Sequence, residues 1–174
     1  VKIFLRILVG LGIIVLAGGI VLLWGLFRAS RNQPTTEEVA LGVSDGTLTA
    51  CPATPNCVST QAPPSYEEHH VPAIALDDIP ALSGSADPRE AALDEAAEWI
   101  ESRPRSEIVA REPGYLRAVS TSRIFGFKDD LELYVPEDAS VLHLRSAARV
   151  GQSDLGVNRE RYEALRGALT AGDG

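Results

Sequence analysis

A chain of 174 residues has room for one ordinary domain and an appendage. Its formal net charge of −8 hides a segregation: Lys2, Arg6, Arg28 and Arg31 lie in an acid-free leader, and 12 basic residues face 24 acidic ones beyond it. That balance excludes a nucleic-acid footprint and a polybasic lipid-binding surface as global features, and the acidity serves solubility.

The appendage comes first. From Ile7 to Phe27 the chain runs 21 residues without a charge. As a helix this spans about 30 Å, the hydrocarbon thickness of a bilayer. Trp24 sits near one end, where interfacial aromatics belong, and the four basic residues bracket the run. It exceeds the apolar region of a signal peptide, about 7–15 residues, and Phe27-Arg28-Ala29-Ser30 makes a poor cleavage site. Residues 1–28 therefore read as an uncleaved anchor that meets the cytoplasmic (inner) membrane through residues 7–27. Leu48-Thr49-Ala50-Cys51 has the form of a lipobox but stands too far beyond the apolar run to be one. The flanking charges balance, and the terminal amine tips the orientation toward an inner N-terminus and an outer domain.

Residues 29–50 are polar, with Pro34, Gly42 and Gly46, and read as a tether lifting a domain of residues 51–170 off the membrane. Cys51 and Cys57, in CPATPNC, have the spacing to close a small disulfide loop in an oxidising compartment. Four prolines between Cys51 and Pro64 fix that region as loop. Tyr66–Leu76 is a candidate strand, confined by Pro72 to an edge or a break. Asp87-Pro88-Arg89-Glu90 opens the clearest helix, with Leu93, Ala96, Ala97 and Ile100 as its buried stripe and Pro104 beyond its end. After a short strand at Ser106–Arg111, the segments Tyr115–Arg123, Asp130–Val135 and Val141–Val150 alternate as an antiparallel meander. Leu116, Ala118, Leu131, Leu133, Val135, Leu142 and Leu144 share the face that meets the helices. A last helix is expected from Asn158 as N-cap, stapled by Val157 and Tyr162, with Leu165 and Leu169 in its stripe. The order predicts an α+β fold, an antiparallel sheet with helices on one face, behind a single transmembrane helix.

The opposite face collects Arg117, Arg123, Asp130, Glu132, Tyr134, His143, Arg145 and Arg149. Two explanations compete: a solvated surface laced with cross-strand ion pairs, or an anion-binding floor of guanidinium forks. Near the strand-to-helix junction, Asp154 can clamp an arginine or act as a base, and Arg145, Arg149, Asp154, Asn158 and Arg159 are expected to form one connected site. On this reading Arg149 is exposed and its loss costs about 0–1 kcal/mol, whereas loss of the Asn158 cap costs about 1 kcal/mol. No hydrolase, nucleotide-binding or zinc-protease motif occurs. His69 and His70 are adjacent and point apart on a strand, so no metal and no cofactor is expected.

Four motifs in order carry a family resemblance: Pro55-Asn56-Cys57-Val58-Ser59, Phe127-Lys128-Asp129-Asp130-Leu131-Glu132, His143-Leu144-Arg145-Ser146-Ala147-Ala148-Arg149-Val150-Gly151, and Ser153-Asp154-Leu155-Gly156-Val157-Asn158-Arg159. Over most of Cys51–Leu169 the chain resembles the fourteen-ninety-nine domain-of-unknown-function family (DUF), small bacterial and plastid-related proteins that are often membrane-anchored. The resemblance implies a common fold and a shared polar site, without an activity. Ala147-Ala148 departs from it, since a serine is expected in the second position. The reading is an envelope protein whose arginine-rich face holds an anionic ligand or protein partner. The alternative is a hydrolase or transferase with Asp154 or Asp130 as base and an arginine clamp on an oxyanion or phosphate.

Overall fold

The computed structural model describes residues 2–138 and 140–171. Val1, Ala139 and residues 172–174 lie outside the described residues, as do the side chains of residues 2–5 and 7–9, Lys2 of the expected flank included.

Helix α1 runs Lys2–Arg31, and its portion Gly10–Arg31 is long and apolar enough to cross a membrane. Leu11, Ile13, Val15, Leu16 and Leu22 are each more than half exposed, so the helix does not bury its apolar surface in the domain. Its last turn carries Arg28 over the Trp24 ring and Arg31 over the Phe27 ring, the pairing of aromatic and basic side chains suited to a bilayer interface.

The domain is α+β, built on a six-stranded antiparallel sheet. After the short hairpin β1 (Val43–Ser44) and β2 (Thr47–Leu48), the strands are β3 (Cys57–Ser59), β4 (Ile74–Ala75), β5 (Ser106–Glu112), β6 (Tyr115–Thr121), β7 (Lys128–Tyr134) and β8 (Val141–Ala148). The order is β3-β8-β7-β6-β5, with β4 also pairing β8. β3 takes the last turn of β8 (Cys57 opposite Ala147) and β4 takes its start (Ile74 opposite Leu142). The strand expected over Tyr66–Leu76 is thus reduced to two residues, because Pro72 cannot donate to a ladder.

Helices α2 (Pro88–Glu101) and α3 (Val157–Thr170) cover one face. Asp87 caps α2, accepting from Arg89 N at 3.1 Å and Glu90 N at 3.2 Å. Glu90 does not complete a capping box; its carboxylate accepts instead from Gly114 N in the β5–β6 turn and from Arg111. Leu116, Ala118, Leu131, Leu133, Leu142 and Leu144 meet Leu93, Ala96, Ile100, Tyr162 and Leu165 in one core. α3 starts earlier than expected. Gly156, at φ 87°, is its N-cap, and Asn158 is already inside the helix and buried. Val157 is 43 % exposed and does not staple Tyr162.

Candidate functional site

Side chains directly opposite in an antiparallel ladder point to the same side of the sheet. On the face away from the helices, one row across β6, β7, β8 and β3 therefore reads Arg117, Glu132, Arg145, Ser59. The next reads Val119, Asp130, Ala147, Cys57. Arg149 lies just past β8, held by its amide donating to Lys128 O at 3.0 Å.

These charges are buried and paired. Asp130 Oδ1 accepts from Arg117 Nη2 at 2.8 Å and Arg149 Nη2 at 2.9 Å, and Oδ2 accepts from Arg149 Nε at 2.7 Å. Glu132, fully buried, accepts from Tyr115 Oη at 2.9 Å, Gly42 N at 2.9 Å and Arg145 Nη1 at 3.2 Å. Burial pushes the Asp130 carboxyl up, but the forks and charges of Arg149 and Arg117 outweigh it and hold it below the usual range. For Glu132 burial wins, and its carboxyl is raised despite Arg145 and Tyr115. Burial and the neighbouring Glu132 raise the Tyr115 phenol.

What covers the face is the segment expected to be a tether. Gln33 copies a backbone strand at the sheet's end, donating to Gly126 O at 2.7 Å and accepting from Lys128 N at 2.8 Å. Arg149 Nη1 then donates to Pro34 O at 3.0 Å and Arg117 Nη1 to Val39 O at 3.2 Å, with Thr36 bonded to both arginines. Residues 33–42 are strapped along β7 from its first residue to Glu132. Alternation along a strand tells which face a side chain takes but not what lies over it, so this strap left no mark in the sequence pattern.

The expected connected site is divided by the sheet. Arg117, Asp130, Arg145 and Arg149 share the strapped face. Asp154 and Asn158 belong to the helix side: Asp154 accepts from Gly156 N and Asn158 N, at 3.1 and 2.8 Å, and so caps α3. Asn158 Oδ1 accepts from Ser146 Oγ at 2.6 Å and from Arg161, while its Nδ2 donates to Asn56 O at 3.1 Å. Arg161 also donates to Asp129 at 2.7 Å, whose carboxyl burial raises above its ordinary value against the pull of that arginine. Arg159 turns elsewhere and clamps the carbonyls of Glu67, Glu68 and His70. Arg123 is exposed in the β6–β7 turn, because β6 stops at Thr121. Asn56, Ser146 and Arg161 were missing from the expected site. Asn56 and Ser146 stand inside the family-like motifs, the one available signal.

The surface of the described residues holds a polar hollow of about 440 Å³ bordered by Thr36, Arg105 and Lys128, and a more apolar cleft of about 530 Å³ beside the bonded Cys51 and Cys57. Leu48, Pro52, Pro63 and Tyr66 line it with the polar Ser59, Gln61 and His69. Ser59 is the register neighbour of Arg145, so cleft and arginine row meet across the β3–β8 ladder. Arg145 is buried, and its Nε has no hydrogen-bond partner among the described residues. Among the same residues no three His, Cys, Asp or Glu side chains gather as a metal-ligand set.

The geometry belongs to a segment that a family model recognises. The family described as "Protein of unknown function (DUF1499)" matches residues 47–169. The chain belongs to this family. Neither curated proteins nor solved structures gave a match. The DUF1499 region contains the arginine row, the helix-side cluster and the cleft, whereas strap residues 33–42 precede it.

Proposed function

We propose that this DUF1499 protein is anchored in the cytoplasmic membrane by one helix, stands with its domain on the extracytoplasmic side, and binds a ligand rather than transforming one. The ligand has an apolar body and an anionic head. The body lies in the cleft beside the disulfide, and the head reaches the arginine row at Arg145. The observation that carries this is the buried Arg145 Nε, without a hydrogen-bond partner among the described residues, in a cluster where Arg117, Arg145 and Arg149 outnumber Asp130 and Glu132. A buried guanidinium without its full set of acceptors is costly, and a carboxylate or phosphate supplies them. Support for binding over an Asp-based hydrolase or transferase comes from the carboxylates: both oxygens of Asp130 and of Asp154 already accept hydrogen bonds.

The test is thermal unfolding of the full chain in nanodiscs with decyl phosphate, decanoate or decanol. At a ligand concentration near 100 times Kd, binding adds about 2.7 kcal/mol, and a rise of about 5–10 °C is expected for the two anions. Arg145→Gln should remove that rise. An equal rise with decanol, or an unchanged rise in Arg145→Gln, sinks the reading.

The outer placement leans on the disulfide. Peptide mapping under non-reducing conditions, on protein taken from its native membrane, is expected to find the Cys51 and Cys57 peptides linked. Cys57→Ala should cost about 2 kcal/mol, the amount a loop this short removes from the unfolded chain's entropy. Two freely alkylated thiols would argue for the opposite side.

A further inference from the structure

The strap fixes which end of the sheet faces the membrane. Gln33, two residues past α1, is bonded to Gly126 O and Lys128 N, so the β6–β7 turn lies against the end of the anchor. The register places two more connections at that end. Ser106 pairs with Ser120, which brings in the α2–β5 connection, and Ala148 pairs with Asp129, which brings in the β8–α3 connection.

These three loops carry the two most exposed large apolar side chains beyond α1, Ile124 at 82 % and Leu155 at 91 %. Phe125 and Phe127 sit half-buried beside Ile124 with ring centroids 6.0 Å apart. Basic side chains gather there too, although the domain is acidic: Arg103, Arg105 and Arg123 are exposed, with Glu101 and Glu107 exposed beside them and Glu160 exposed in the first turn of α3. Asp129 and Asp154, at the same end, are spent on Arg161 and on the amides of α3. Apolar tips ringed by arginines, held against a helix that ends in Trp24, Phe27, Arg28 and Arg31, match the chemistry of a bilayer interface.

We infer that this end of the domain is a second membrane contact, with Ile124 and Leu155 seated in the interface and Arg103, Arg105 and Arg123 on anionic headgroups. The inference rests on α1 being the membrane anchor, and its occupant is the surface of that same bilayer. The geometry leaves the β7–β8 turn, with Glu137, at the far end of the strands.

The experiment places an environment-sensitive fluorophore on the full chain at Ile124→Cys, Leu155→Cys or Glu137→Cys, in phosphatidylcholine–phosphatidylglycerol nanodiscs containing spin-labelled lipid. Quenching at 124 and 155 should exceed that at 137 at least about twofold, since interfacial side chains sit within the headgroup and upper acyl region. Replacing Arg103, Arg105 and Arg123 together by glutamine should lower quenching at 124. Equal quenching at all three sites in a carbonate-resistant chain overturns the contact while leaving the anchor standing. Release of the chain by carbonate overturns the anchor itself. Unchanged quenching in the triple variant overturns the role of the arginines.

Discussion

Replacing Asp130 with alanine is expected to lower the stability of the domain by about 3–5 kcal/mol, the range for breaking a buried ion pair and stranding its partners. The Asp130 side chain is 3 % exposed, and its carboxylate is the shared acceptor of Arg117 and Arg149. The Arg149 side chain is itself 1 % exposed, so the small cost expected from its place on an open face does not apply to it. The truncation leaves two guanidinium groups buried with only strap carbonyls and the Thr36 hydroxyl to accept from them. Urea unfolding of the detergent-solubilised full chain measures the loss, and a value under about 1 kcal/mol would mean that the pairs behave as exposed ones. The pH dependence supplies a second check. Because the folded-state pKa of Asp130 is depressed, its stabilising contribution is present above the unfolded carboxyl value near 4 and is lost as pH falls through the folded value. The gap between wild type and Asp130→Ala should therefore narrow as the pH falls below about 4. Arg149→Ala and Asp130→Ala should also combine less than additively, since they break the same contacts.

Asn158→Ala should cost about 2–3 kcal/mol, more than the loss of a helix cap, because it unpairs several buried groups at once. Its amide joins three elements: Ser146 on β8, Arg161 on α3, and the carbonyl of Asn56 before β3. Asp154→Ala, which removes the side-chain cap of α3, should cost only about 1 kcal/mol by comparison. The same unfolding measurement separates the two. If Asn158→Ala is no worse than Asp154→Ala, the buried cluster contributes nothing beyond capping.

Where the sequence was informative, a periodicity did the informing. Strand alternation sorted Leu131 and Leu133 from Asp130 and Glu132 because a two-residue period leaves no third choice of side. Asp87-Pro88 was equally readable, since both residues suit the geometry of a helix start. Asn158 misled for a related reason. Asparagine favours N-caps, but Gly156 takes the positive φ and Asp154 supplies the oxygen from two residues earlier. The strap was unreadable because its contacts with Arg117 and Arg149 run mostly through backbone carbonyls, which every residue possesses. Burial of the arginine face therefore depended on chain path, and the split of the junction residues depended on which side of the sheet α3 crosses.

The strap also sets how far the domain can travel. Were Asn32 to Ala50 free, a chain of that length would reach about 60–70 Å when taut and about 25 Å on average. The domain would then sweep a hemisphere above its anchor and meet partners well away from the lipid. With Gln33 fastened to the β6–β7 turn and Gly42 to Glu132, that search volume collapses to a thin layer at the foot of the helix. The cleft is carried at one height and one azimuth relative to the helix, so on the proposed anchoring a ligand would be met at the bilayer surface.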